Sequence, residues 1–279
     1  MDDKVLSYGD CLLRVCDVAL LTGPHWLNDA VMSFYFEYLR GEGAQPDEPH
    51  ADRVALVDAS LTFLVANVSP DEARAVLAPL GVSRAHMALF LVRATRTSFV
   101  ERFLHLIIEV SSVARERPST FSLTAAPLAP PRFRSRQVND NDHVAAAGGG
   151  SHWSLLAYLR DENAFAHFDS AGGRNDAAAA RLAETLAEAF SLKNSPAFVS
   201  GRSGSPRQRN GYDCGVFALA TAHAARRLVA REGASGATAS RLAARVAREV
   251  TPSAVGKFRG ELVETVRALA EARARERGE

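Results

Sequence analysis

Q-R-N-G-Y-D-C-G-V-F, residues 208–217, sets Cys214 directly ahead of an apolar run, V-F-A-L-A, that reads as the first turns of a helix. A thiol at that position faces backbone N–H groups with no intrahelical partner and the positive end of the helix dipole. Both favour the thiolate, the form of cysteine that attacks carbonyls. Gln208 precedes the thiol by six positions and carries an amide donor. Gly211 between them permits a tight turn that brings the two groups to one point.

Two segments upstream complete the chemistry. H-W-S-L-L-A-Y-L at 152–159 has the pattern of a strand opened by His152, and F-A-H-F-D-S at 165–170 that of a strand closed by Asp169. Cys214, His152, Asp169 and Gln208 are nucleophile, base, orienting acid and oxyanion donor, the four parts that acyl transfer by a thiol needs. Each residue alone has a plainer reading: a small buried thiol, a core histidine, a turn acid, an idle loop amide. Their combination with Gly211, Asp213 and Gly215 around one cysteine favours the catalytic reading. His167, Cys11 and Cys16 are read as structural.

Bulk properties narrow the classes. The chain has 279 residues, with 33 Lys and Arg against 32 Asp and Glu, so no basic excess points to nucleic acid. No apolar run approaches the ~20 residues of a membrane span, and M-D-D-K-V-L-S-Y lacks a signal-peptide pattern. Cys11, Cys16 and Cys214 make neither a disulfide framework nor a common zinc motif, so no metal or organic cofactor is expected. A reducing setting, cytoplasm or nucleus, is the expectation.

Periodicity fills in the frame. Residues 5–21 read as a short strand and turns. Asn28 is a candidate N-cap for a helix whose buried stripe is Val31, Phe34, Tyr35, Tyr38 and Leu39. Residues 41–49 read as an exposed loop. Residues 56–65 and 71–80 read as two short helices, 87–91 as a buried strand, 176–190 as a helix and 196–200 as a strand. Helices at 214–230, 238–249 and 256–276 close the chain. Helices flanking a small central mixed sheet in this order predict an α+β fold.

Residues 92–137 break this pattern. Their Pro, Ser and Arg content argues against a packed core. The chain is therefore read as a single catalytic domain, 1–279, interrupted at 92–137 by a disordered insertion or a retained intron. Val codons begin with GT and a Gln codon can be CAG, the bases that open and close a typical intron. V-N-D-N-D-H and A-A-A-G-G-G at 138–150 then form a Gly-rich approach to His152.

W-L-N-D at 26–29, H-W-S-L at 152–155, F-D-S at 168–170 and Q-R-N-G-Y-D-C-G at 208–215 together resemble the cysteine proteases of ubiquitin-like modifiers, the sentrin/SUMO-protease family with its papain-like fold. V-L-S-Y-G-D-C-L-L-R at 5–14 resembles the opening of the family's deneddylating branch. The likeness spans nearly the whole chain except 92–137. It implies Cys214 as nucleophile, His152 as general base, Asp169 as its orienter and Gln208 as oxyanion donor. It implies Trp153 and Trp26 lining a narrow cleft for a Gly-Gly tail, and Asp29 contacting a basic residue of the substrate near that tail. The partner it implies is the Nedd/RUB ubiquitin-like modifier on its conjugates, cullins among them, with the enzyme acting as a monomer. SUMO cleavage, and a non-catalytic modifier-binding module, are the rival readings.

Overall fold

The computed structural model describes residues 3–41, 53–93, 152–202, 204–233 and 236–278. Residues 42–49 of the loop expected at 41–49, residues 94–137 of the interruption and the Gly-rich approach at 138–150 lie outside the described residues. The fold is α+β, as the pattern of elements predicts.

The chain opens with an antiparallel hairpin, β1 (Lys4–Tyr8) and β2 (Cys11–Arg14), followed by a short helix α1 (Val15–Ala19). Helix α2 (Asp29–Arg40) starts where the sequence places it: the Asn28 side chain accepts a hydrogen bond from the Val31 N–H at 3.1 Å. Val31, Phe34, Tyr35 and Leu39 of the expected stripe are buried, and Tyr38 packs partly buried against the same core.

The segment read as a helix over 56–65 divides in two. Leu56 and Val57 belong to strand β3 (Val54–Val57), and helix α3 (Ala59–Val65) begins only after Asp58, whose carboxylate accepts from the N–H groups of Ser60 and Leu61. The four apolar residues of β3 are buried on both sides, a pattern that periodicity alone does not separate from a buried helix. Helix α4 (Pro70–Leu77) carries a capping box between Ser69 and Glu72.

Strands β4 (Met87–Arg93), β5 (Trp153–Leu159), β6 (Ala164–Phe168) and β7 (Ala197–Val199) complete a five-stranded mixed sheet in the order β3-β4-β5-β6-β7. The outer pairs are parallel and the two inner pairs antiparallel. β4 runs two residues past the expected strand end: Val92 pairs with Ser154 and Arg93 with Trp153. These are the first two residues of the segment read as an interruption, and here they are ordinary members of the ladder.

Helix α5 (Asp176–Ala189) lies between β6 and β7 in the chain, and α6 (Cys214–Glu232), α7 (Ala239–Glu249) and α8 (Pro252–Arg277) follow. The sheet buries both faces, so β5 is apolar almost throughout. Trp153, Leu155, Ala157 and Leu159 point to the core shared with α2, α6, α7 and α8; Leu156 and Tyr158 point to the core shared with α3, α4 and α5. Because β5 is central and α6 packs on its first face, the start of β5, the end of β6 and the head of α6 converge at one end of the sheet.

Candidate active site

Cys214 is the first residue of α6, with Asp213 at the N-cap. Asn210 shapes the approach. Its side-chain oxygen accepts from the N–H groups of Tyr212 and Asp213, and its amide donates to the Asp213 carboxylate at 2.7 Å. Gly211 is not what turns the chain: its φ is not in the left-handed region, and a Cβ there would meet nothing. Gly215 is the more closely packed glycine. A Cβ on it would stand 3.1–3.2 Å from Leu27, Met32 and Trp153, so those neighbours would have to give by a few tenths of an ångström to admit a side chain at the helix head.

His152 immediately precedes β5 and Asp169 immediately follows β6, so the antiparallel pairing of those strands brings them together. The His152 Nε2 lies 2.6 Å from the Asp169 Oδ1. Cys214 also acts on the imidazole, favouring its protonated form. All three side chains are nearly closed to solvent, at 3 % exposure for His152, 0 % for Asp169 and 1 % for Cys214.

Burial alone would lower the imidazolium pKa of His152. The hydrogen bonds to Asp169 and Cys214 and their charges outweigh it and bring the value up to about 9. Burial would raise the pKa of Asp169, but the bonds it accepts from His152, the Asn175 N–H and the Ala171 N–H hold it below the ordinary carboxylate range. The stability signs follow. His152 sits above its unfolded value, so its contribution is fully present below about pH 6.5 and is lost as pH rises through 9. Asp169 is depressed, so its contribution is present above its unfolded value of 3.8 and lost as pH falls through its lowered value. The expected alkaline limb of kcat/KM lies near pH 9, where the imidazolium is lost. Asp169→Asn moves that limb toward neutrality and lowers kcat on the order of 10³–10⁴-fold by releasing the imidazole from its orientation. A pH–rate profile of both forms checks this, and coincident limbs would contradict the coupling.

Gln208 is tied to the end of β6. Its side-chain oxygen accepts from the Ser170 hydroxyl at 2.6 Å, its backbone N–H donates to the Ser170 carbonyl, and one amide N–H donates to the Asn210 carbonyl at 2.7 Å. A primary amide has two N–H bonds, so one remains for a ligand. Ser170, adjacent to Asp169, thus links the acid to the amide, a connection the sequence does not announce.

The Trp153 indole N–H donates to the Leu27 carbonyl at 2.9 Å, which ties its ring to the W-L-N-D segment. Trp153 itself is 1 % exposed, while Trp26 is half-buried. Asp29 is already partnered within the chain: the Arg93 guanidinium donates to both carboxylate oxygens at 2.7 and 2.8 Å, and lies 5.5 Å from the centre of the Trp153 ring. Sequence reading missed Arg93 because it fell within the segment set aside as an interruption. Among the described residues, no group of three or more His, Cys, Asp and Glu side chains is arranged to hold a metal ion, and no helix is long and apolar enough to cross a membrane.

The chain as a whole is similar to known proteins. The model of the Ulp1 protease family, C-terminal catalytic domain, matches residues 132–249. NEDD8-specific protease 1 of Arabidopsis thaliana is 30 % identical over 270 residues, covering 96 % of this chain and 94 % of the relative. Human sentrin-specific protease 8 is 30 % identical over 271 residues, covering 97 % and 99 %. Among solved structures, the Ulp1 protease domain in complex with Smt3, the yeast ortholog of SUMO, shares the fold with a TM-score of 0.51 at 12 % identity, covering 97 % of this chain and 89 % of that one. Identity at the level of the two proteases, sustained along nearly their whole length, goes beyond shared fold: the chain belongs to the Ulp1 family and is a cysteine peptidase.

Proposed function

We propose that the protein is a thiol isopeptidase that removes the Nedd/RUB modifier from lysine side chains by cutting after its C-terminal Gly-Gly, and that it matures the modifier's precursor by the same chemistry. The observation that carries the chemistry is the buried His152–Asp169 pair, 2.6 Å apart, in a site that also holds Cys214 at the head of α6. The Cys214 sulfur attacks the carbonyl carbon of the last glycine. The resulting oxyanion takes hydrogen bonds from the free Gln208 amide N–H and the Cys214 backbone N–H. His152 gives its proton to the departing lysine amine as the C–N bond breaks. It then takes a proton from the water that hydrolyses the thioester, and Asp169 holds the ring in place for both transfers.

The choice of modifier is supported by the names of the relatives, NEDD8-specific protease 1 and sentrin-specific protease 8, at 30 % identity. Trp26 and Trp153 line the tail's path in this reading. Asp29, half exposed and already bound to Arg93, keeps carboxylate lone pairs for a basic residue of the substrate. Cullins as targets and action as a monomer belong to this reading through the resemblance. No disulfide joins Cys11, Cys16 and Cys214, which suits a reducing compartment, cytoplasm or nucleus.

The reading of one catalytic domain with an interruption at 92–137 also stands as a proposal. Joining Leu91 to Val138 leaves a valine at the strand position that Val92 holds, so either version supplies β4 with a β-branched residue there. Transcript reads that cross this junction without the intervening codons would support the retained-intron form; their absence at good coverage would sink it and leave a genuine insertion.

Electrophilic probes ending in Gly-Gly, built on the Nedd/RUB modifier, SUMO and ubiquitin, test the function. A Nedd/RUB adduct that disappears in Cys214→Ser is expected. A SUMO adduct alone keeps the chemistry and overturns the modifier. Binding without any adduct favours the non-catalytic module.

A further inference from the structure

Behind the His152–Asp169 pair lies a buried chain of polar groups that the catalytic assignment does not use. Asn175, the residue before α5, is 1 % exposed, yet its side chain does not cap that helix. Its backbone N–H donates to the Asp169 Oδ2 at 2.8 Å. Its side-chain Nδ2 donates to the His152 carbonyl oxygen at 2.8 Å and to the Ser154 Oγ at 3.0 Å. One residue thus holds the acid by its backbone and the histidine's peptide by its side chain.

The chain continues in a fixed direction. Ser154 Oγ lies 2.9 Å from the His167 Nε2, and the His167 Nδ1 lies 2.7 Å from the Asp176 Oδ1. Asp176 also accepts from the Ser200 hydroxyl and the Gly201 N–H. An ionised Asp176 only accepts, so the His167 Nδ1 carries the proton and its Nε2 accepts from the Ser154 O–H. Ser154 then has its oxygen lone pairs free for the Asn175 amide. Ser154 and His167 thus each donate to one acceptor, while the Asn175 Nδ2 serves the His152 carbonyl, the Ser154 Oγ and, at 3.5 Å, the Val92 carbonyl. Burial, the largest influence on His167, lowers its pKa and favours the neutral ring that this order requires, against the opposing pull of Asp176 and Asp169.

The Asn175 Oδ1 is buried without a hydrogen-bond partner. Turning the amide over would place that oxygen against the His152 carbonyl, so the orientation is fixed by the two donors and not by the acceptor. A buried amide kept with one end unsatisfied marks a place where donors are needed.

We propose that Asn175, backed by Ser154 and His167, is the positioning residue that fixes the His152–Asp169 pair in its reactive geometry. The proposal rests on the catalytic assignment of His152 and Asp169. Asn175 touches neither substrate nor sulfur; it acts by holding the peptide of the base and the carboxylate of its orienter to one frame. Ser154 acts one bond further back, and His167 orders Ser154.

The test compares Asn175→Ala, Asn175→Asp and Ser154→Ala with the parent chain. Kinetics are expressed per Cys214 thiol titrated by the electrophilic Nedd/RUB probe, so that unfolded molecules do not count. Asn175→Ala and Asn175→Asp are expected to lower kcat on the order of 10–100-fold with KM within about two-fold, the size typical of groups that orient a ligand from behind. Ser154→Ala, which leaves the bond from Asn175 to His152 in place, lowers kcat less. The His152 imidazole titration, followed by NMR in the Cys214→Ala background, shifts in Asn175→Ala. That readout does not depend on turnover, so it separates the proposal from the assignment of the nucleophile: absence of adduct in the parent chain tells against Cys214, and an unmoved His152 titration tells against Asn175. Variants that fold with kcat per titrated thiol within two-fold of the parent overturn the proposal. If both Asn175 variants fail to fold, an unchanged kcat and pH profile in folded Ser154→Ala overturn it equally.

Discussion

Cys214→Ala is expected to lower kcat/KM by a factor on the order of 10⁴–10⁶ while leaving the modifier bound. The covalent route passes through sulfur, and no neighbouring side chain can substitute for it. What survives is the background supplied by binding and oxyanion donors alone. The fold should not object. Cys214 is buried at the head of α6, and replacing it by alanine removes a single heavy atom from a site already lined by Trp153 and Phe168. A cost of about 1 kcal/mol is in keeping with so small a void. The same change removes the hydrogen bond and charge that help raise the His152 pKa, so the imidazole should titrate below about 9 in this variant. Steady-state cleavage of a Nedd/RUB conjugate and calorimetric binding measure the two halves. Activity within ten-fold of the parent would remove Cys214 from the mechanism.

The largest effect on stability should come from Arg259. This α8 side chain donates to the Asp213 carboxylate through Nε at 3.2 Å and Nη2 at 2.9 Å, and to the carbonyls of Leu20, Gly23 and His25 at 2.8, 3.3 and 3.0 Å. Its guanidinium also lies 5.8 Å from the centre of the Tyr212 ring. It therefore joins three stretches: the last helix, the segment leading into Trp26, and the residue before the nucleophile. Both partners of the ion pair are largely buried, with side-chain exposures of 12 % and 16 %. Arg259→Met keeps the apolar stem but takes the cation from the Asp213 carboxylate and the donor from three carbonyls. A loss of about 2–4 kcal/mol is expected for a pair of this kind broken from one side. In a domain of this size that corresponds to a fall in Tm of roughly 5–15 °C. Arg259→Lys should recover little, because a single ammonium cannot serve acceptors spread around a planar fork. A double-mutant cycle with Asp213→Asn isolates the pair. A Tm within about 2 °C of the parent for Arg259→Met would show that the five contacts carry no net stabilisation.

Much of the site was legible because its signals are local. The placement of Cys214 at a helix start follows from an apolar run after turn residues. The Asn28 cap and the α2 stripe obey rules that act over a few residues. Misreadings arose where local rules are silent or ambiguous. Leu56 and Val57 look alike as buried strand or buried helix. Gly211 suggested the turn, but the Asn210 side chain makes it. Asn175 drew no reading from the sequence, and its side chain bonds to His152 and Ser154.

The sequence alone determined the residue types that can carry acyl transfer, the elements that bear them and the α+β class. The tertiary structure decided the partnerships: Arg93 with Asp29, Ser170 with Gln208, Arg259 with Asp213, and the Asn175–Ser154–His167 chain behind the catalytic pair. Helix periods and caps are short-range interactions, so they are written in neighbouring residues. These hydrogen bonds join groups that only strand pairing and helix packing bring within 3–3.5 Å of one another, and sheet register, not local pattern, selects which polar groups face each other.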